Sequence, residues 1–150
     1  PQDPFLPRDL KIKTFMRSLP ADKGTFIVSH LNHYYSQLKF DSLSGGELRL
    51  FELLFIISLD RKYLLLDEPF TGIEPLCIEK MITLISQQRA LGKGVLLTDH
   101  YYRYTSQVAD YGYYMQDGQC LRLMDHISME QQLYEHGYMA SPKDNQPWLV

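Results

Sequence analysis

Tyr63-Leu64-Leu65-Leu66-Asp67-Glu68-Pro69 decides the fold class of this 150-residue chain. Four apolar residues in a row follow the charged break Asp60-Arg61-Lys62 and end in two acids. Such a run suits a short strand covered on both faces of a parallel sheet. A second run, Gly94-Val95-Leu96-Leu97-Thr98, ends in Asp99-His100. Between them Pro75 fits the first turn of a helix. Ile78, Met81, Ile82 and Ile85 recur at i, i+3, i+4 and i+7, and Gly92 is a good stop. Strand, helix and strand in about 35 residues make one βαβ unit, for which a right-handed crossover is expected.

Upstream, Pro1 to Pro7 carries three prolines and reads as an extended loop. Asp9 to Leu19 fits a short helix ended by Pro20. Thr25 to Leu38 fits a second, with Phe26, Ile27, Leu31 and Tyr34 near helical spacing. Asp41 to Gly46 is a turn-rich link. From Leu48 to Leu59 the chain is apolar almost all round, its longest run, Leu50 to Leu59, being interrupted by Glu52, which describes a buried helix. Downstream, Tyr101 to Val108 suits a short helix. Tyr111–Met115 and Cys120–Met124 suit a hairpin joined by Gln116-Asp117-Gly118-Gln119. Met129 to His136 suits a last helix closed by Gly137, and 138–150 reads as a flexible tail.

Composition narrows the function classes. Apolar residues make up 45% and charged residues 22%, the ordinary range for a soluble globular protein. A net charge of −3 gives no electrostatic reason to expect nucleic acid as a partner. Cys77 and Cys120 have no metal or redox spacing and read as unpaired thiols in a reducing compartment. No stretch approaches the ~20 apolar residues that cross a bilayer, and no signal-peptide pattern is present. A membrane role would come through a partner. The chain opens on Pro1 rather than methionine, so it reads as a fragment or a processed product.

Three elements carry chemistry. In Leu43-Ser44-Gly45-Gly46-Glu47, Ser44 and Glu47 have the spacing of a capping box. The paired glycines weaken a helix start and call for a further reason. Bare backbone N–H groups at a helix N-terminus bind anions, and a phosphate fits there with the Ser44 hydroxyl as an added donor. Asp67 and Glu68 stand where α/β sheets bind ligands. Adjacent acids there either cap a helix or divide two tasks, one holding Mg²⁺ and the other orienting or deprotonating a water. His100 ends the neighbouring strand on the same sheet edge, where it is either a surface residue or a hydrogen-bonding partner for phosphate. Asp99 has the place of a cap for the helix at Tyr101. His30, His33, His126 and His136 have no ligand spacing, and the eleven tyrosines suit packing.

In this order these elements resemble the signature, Walker B and histidine-switch motifs of the ABC-type ATPases, the engines of ATP-driven transporters. The likeness runs from Gln2 to about His136, and Asp67-Glu68-Pro69-Phe70-Thr71-Gly72-Ile73-Glu74-Pro75 is especially similar to importer and lipid-exporter branches. The resemblance implies an α/β fold, a partial P-loop NTPase-like parallel sheet flanked by helices, with an N-terminal helical subdomain. Residues 1–42 would be the glutamine loop and helical subdomain, and 43–137 the core of a single partial domain. The implied cofactors are ATP and Mg²⁺. Glu68 would be the catalytic base, His100 the switch, Asp67 a metal ligand, and Gln2 a contact to metal and water. Ser44, Gly45, Gly46 and Glu47 would meet the ATP held by a second ATPase subunit in a head-to-tail dimer. Transmembrane permease subunits would dock on the helical region, and the protein would sit on the cytoplasmic face of the membrane.

Four departures from the pattern stand out. Glu47 replaces the commoner glutamine, Glu74 replaces the usual D-loop aspartate, and Leu50 stands where an arginine often follows. No G-x-x-x-x-G-K-[ST] phosphate loop exists in these 150 residues. The chain by itself is therefore expected to have no ATPase activity, while the intact domain is an ATP hydrolase. Two other readings remain open. One is the head of a DNA-repair or chromosome-maintenance ATPase, against which stand the missing coiled coil and basic surface. The other is a degenerate, non-enzymatic regulatory module, against which stands the survival of Asp67, Glu68 and His100.

Overall fold

The computed structural model describes residues 5–31, 35, 37–123, 131–134 and 137. The chain divides into two compact units, Pro1–Thr105 and Ser106–Val150.

The first unit opens with α1 (Ile12–Ser18) and α2 (Ala21–His30). These helices differ from the sequence expectation, and proline explains the difference. Leu19, just before Pro20, is held extended at φ −85° and ψ 154°, which stops α1. Pro20 then serves as the N-cap of α2, so that helix starts four residues earlier than Thr25. Gly24 lies inside it, where a Cβ would stand 3.4 Å from the Met16 carbonyl oxygen, so the two helices approach closely. Leu31 is extended and ends α2 well short of Leu38.

A 3₁₀ turn at Phe40–Ser42 leads into α3 (Gly45–Ser58). Phe15 of α1 meets Phe40, Phe51 and Phe55 edge-on at centroid distances of 5.5, 6.0 and 5.3 Å. Phe40 and Phe51 are essentially fully buried and lie 4.9 Å apart. This aromatic group joins α1, the 3₁₀ turn and α3, the kind of edge-to-face packing that aromatic quadrupoles favour. Glu52, the acid inside the apolar run, is 3% exposed. It is satisfied by Arg49 at 3.1 Å and by the backbone N–H of Phe5 at 2.9 Å, as burial of a charge requires.

The βαβ unit consists of β1 (Tyr63–Asp67), α4 (Pro75–Ala90) and β2 (Gly94–Thr98). The strands pair in parallel, from Tyr63 opposite Gly94 to Asp67 opposite Thr98. α4 packs on both α3 and β2. Its buried stripe is Cys77, Ile78, Met81, Leu84, Ile85 and Gln88; Ile82 is only half-buried. Leu64 and Leu66 are buried, but Tyr63, Leu65 and Leu96 are 65%, 73% and 62% exposed. The expectation of strands covered on both faces therefore holds for one face among the described residues. The apolar run forms the expected strand, and its composition alone does not say how many of its faces are packed.

α5 (Tyr102–Val108) straddles the division between the units. The second unit contains the hairpin of β3 (Gly112–Gln116) and β4 (Gln119–Leu123), paired antiparallel from Gly112 opposite Leu123 to Gln116 opposite Gln119. Asp117 and Gly118 turn it with φ of 50° and 77°, the left-handed pair that a two-residue loop needs. Residues 131–134 are helical; the remainder of the expected Met129–His136 helix and the tail at 138–150 lie outside the described residues. Cys77 is buried and Cys120 exposed, and both are free thiols.

Candidate functional site

At the start of α3 the chain forms a complete capping box. The Glu47 N–H donates to the Ser44 hydroxyl at 3.2 Å, and the Ser44 N–H donates to Glu47 Oε2 at 2.8 Å. Ser44 Oγ accepts that bond, and the Ser44 hydroxyl also helps to hold the Glu47 carboxyl low. The second Glu47 oxygen accepts the Tyr35 hydroxyl at 2.7 Å. That bond, followed by the Ser44 backbone bond, lowers the Glu47 carboxyl below its usual range. The same bond, with burial second, pushes Tyr35 up to about 12. Glu47 is thus a brace that ties the helix start to residue 35.

The two glycines of this turn differ. A Cβ at Gly45 would meet nothing within 4 Å, and Gly45 is exposed. Gly46 is buried, and a Cβ there would stand 2.8 Å from Glu74 Oε2 and 3.2 Å from both Cys77 Sγ and Ile73 Cγ2. Only Gly45 fits the expected reason for the pair, bare backbone open to an anion. Gly46 is small because the segment before α4 presses against it.

At the carboxyl ends of the strands, Asp67 is the last residue of β1, on the same exposed face as Tyr63 and Leu65. Its Oδ1 accepts the Thr98 hydroxyl across the strand pair at 2.6 Å. Glu68 leaves the strand with φ 45°, a left-handed conformation uncommon for a side-chain-bearing residue. Its N–H stays on the sheet, donating to the Thr98 carbonyl at 2.7 Å. Such local strain concentrates at functional sites, and here it separates the two acids at the strand end. Glu68 Oε1 lies 2.9 Å from His100 Nε2. The side chains are 37% and 74% exposed, so solvent reaches both.

Asp99 does more than cap. Its Oδ1 accepts the Tyr101 N–H at 2.9 Å, and its Oδ2 accepts the N–H of fully buried Phe70 at 2.8 Å. It thereby clamps the loop after β1 to the loop after β2 and holds Glu68 and His100 in register. The sequence offered one signal for this, an acid at a strand end, and half of its role is invisible without the fold.

Among the described residues no group of three His, Cys, Asp or Glu side chains is gathered as a protein cage for a metal. Asp67 offers a single carboxylate at an exposed strand end, the donor set of an ion held largely by water and phosphate, as Mg²⁺ usually is. Gln2 lies outside the described residues.

No family model matches the chain. It is 33% identical over 132 residues to the lipopolysaccharide export system ATP-binding protein LptB of Acidithiobacillus ferridurans, a match covering 81% of this chain and 55% of that protein. The chain thus spans about half the length of that relative. Among solved structures, the ATP-binding subunit of an ABC transporter superposes with a TM-score of 0.66 at 19% identity, covering 96% of this chain and 63% of that one. A dimeric ATP-binding cassette in a post-hydrolysis state, bound to ADP and Pi, superposes with a TM-score of 0.58 at 18% identity, covering 68% of this chain and 46% of that one.

Proposed function

We propose that this chain, homologous to the ATP-binding proteins of ABC transporters over the part it spans, is the signature-to-histidine-switch portion of an ATP-hydrolysing transporter subunit. The observation that carries the reading is the meeting of Glu68 and His100 at 2.9 Å, from separate strand ends and beside Asp67. Glu68 is the general base. His100 holds one of its carboxylate oxygens and leaves the other to take a proton from an attacking water. Asp67 is the carboxylate that would hold Mg²⁺ with Gln2, and a bound Mg²⁺ would neutralise charge on the phosphates. His100 is placed to exchange its bond to Glu68 for one to a γ-phosphate.

The start of α3 serves a different nucleotide, one held by a second ATPase subunit. The Ser44 hydroxyl and the open backbone at Gly45 face the phosphate, Gly46 gives the turn its shape, and Glu47 braces it. The helical region before Ser44 is the docking side for transmembrane permease subunits, on the cytoplasmic face of a membrane. No helix among the described residues is long and apolar enough to cross a membrane. A cradle of N–H groups and a lysine for the nucleotide beside Glu68 must come from a phosphate loop that these 150 residues lack.

The test mixes this chain with an ABC ATP-binding subunit that carries its own phosphate loop. ATP is expected to promote their association in sedimentation. Gly45→Asp, which sets an anion where the phosphate sits, is expected to abolish that effect. Association indifferent to ATP, or to Gly45→Asp, overturns the reading. ATP hydrolysis by the chain alone that is lost in Glu68→Gln would overturn the division of the site between two polypeptide segments.

A further inference from the structure

Lys11 and Lys39 face each other across an isolated antiparallel bridge in the helical region. The Ile12 N–H donates to the Leu38 carbonyl at 2.9 Å, and the Phe40 N–H to the Leu10 carbonyl at 3.2 Å. The flanking residues make the bonds. The lysines are therefore the non-hydrogen-bonded kind of pair, with Cα atoms about 4.5 Å apart and side chains close together. Both have extended backbone, at φ −68° and −92°. Their neighbours Ile12 and Phe40 are buried and anchor the bridge to the core, while both lysines point the other way and are exposed. Like charges set directly opposite destabilise a strand pair. Among the described residues neither lysine makes an ion pair that would offset this. Asp9 and Asp41 are the acids nearest in sequence, and Asp41 accepts the Ser42 hydroxyl at 3.2 Å instead. The positive charge continues along α1, where Lys13 and Arg17 are exposed four residues apart on a helix that carries no acid. Residues 1–42 hold six Lys and Arg against four Asp, in a chain of net charge −3, so the cations are concentrated in this region.

We infer that this basic strip is a membrane-surface site for phosphate-bearing lipid headgroups, with Lys11 and Lys39 gripping one phosphomonoester and Lys13 and Arg17 meeting its neighbours. An ammonium is a compact point charge with three rotatable donors, so two rooted this close are best satisfied by one anion with a charge for each. A phosphomonoester carries about −1.5 to −2 near neutral pH, whereas a carboxylate carries a single charge. A free phosphate would use only the pair. The further cations of α1 call for an array of anions in a plane, which a membrane surface presents. The site goes beyond the nucleotide role, needs no ATP, and shares with it only the placing of the helical region at a membrane.

The test is cosedimentation of the full chain with vesicles, without nucleotide. Binding is expected to phosphatidylcholine vesicles that contain phosphatidic acid. It should be weaker with the same fraction of phosphatidylglycerol, a phosphodiester, and absent with phosphatidylcholine alone. Lys11→Gln with Lys39→Gln is expected to weaken binding about 25-fold, from about fivefold per cation at an anionic surface. Lys13→Gln with Arg17→Gln should weaken it as well. Arg61→Gln with Lys62→Gln removes the same charge from an exposed segment outside the strip and should leave binding unchanged. The unfolding midpoint of the variant with both Lys11→Gln and Lys39→Gln should hold or rise, because a repulsion is removed. Failure to bind phosphatidic acid vesicles overturns the site, in favour of an acidic protein partner where soluble polyglutamate is held through the same two lysines. Equal loss from the Lys11/Lys39 and Arg61/Lys62 substitutions leaves only net charge at work and overturns it too, as does equal binding to the two anionic lipids. Because ATP is absent, these outcomes stand whether or not the chain associates with a phosphate-loop-bearing subunit.

Discussion

The start of α3 and the carboxyl ends of β1 and β2 both carry acids, and the two regions use them differently. Glu47 has both oxygens bonded within the protein, one to the Ser44 N–H and one to the Tyr35 hydroxyl. Glu68 instead faces His100 at the surface, held there by a left-handed backbone. The first acid builds the helix start; the second is presented by a structure that other residues build. At the strand ends the building is done by Asp99, which joins the Phe70 and Tyr101 backbones. A carboxylate's chemistry therefore follows from how many of its lone pairs the fold already uses.

The largest effect that tests this contrast is on hydrolysis. In the ATPase reconstituted with its phosphate loop, Glu68→Gln is expected to slow turnover by about 10²–10⁴-fold, the usual contribution of a general base. The unfolding midpoint of the same variant is expected to stay put, because Glu68 contributes its backbone, not its carboxylate, to the sheet. A fall in stability that matches the fall in turnover would erase the distinction between presented and building acids. Asp99→Ala is expected to do the reverse in the first instance. It strips the acceptor from the buried Phe70 N–H and should cost about 1–3 kcal/mol, read by denaturant unfolding. Thr98→Val follows, removing one exposed hydroxyl bond to Asp67, with an expected cost of about 0.5–1.5 kcal/mol at most.

The sequence made the βαβ unit legible because its signals are local. The apolar runs at Tyr63 and Gly94, the helical start at Pro75 and the Asp117-Gly118 turn each specify backbone within a few residues. The capping box at Ser44 and Glu47 was legible for the same reason. The boundaries of α2 were not, because Pro20 acts as its start and Gly24 is tolerated for a contact with α1 that no local pattern reveals. The pair Gly45-Gly46 looks in the sequence like one feature and is two in the fold, since only the fold brings Glu74 against Gly46. Asp99 and Tyr35 escaped as braces for that reason too: their partners lie 29 and 12 residues away. What is distant in sequence was visible only as residue type.

The smallest expected effect, a pH dependence, separates the two regions most finely. The folded chain lowers the Glu47 carboxyl, through the Tyr35 hydroxyl first and the Ser44 N–H second. Its unfolded value is the ordinary 4.5, so the brace stabilises the fold above that pH and is lost as pH falls through the lowered value. Tyr35 is raised from 10.0 to about 12 by the same bond, which favours its neutral form in the fold. Its contribution is complete below pH 10 and disappears as pH rises toward 12. Tyr35→Phe cuts the one bond that serves both groups. Unfolding midpoints measured across pH should therefore flatten at both extremes in this variant, in the acid range of Glu47 and in the alkaline range of Tyr35. If Tyr35→Phe leaves both limbs unchanged, Glu47 is not a brace and stands instead with Glu68 as an acid presented to a ligand.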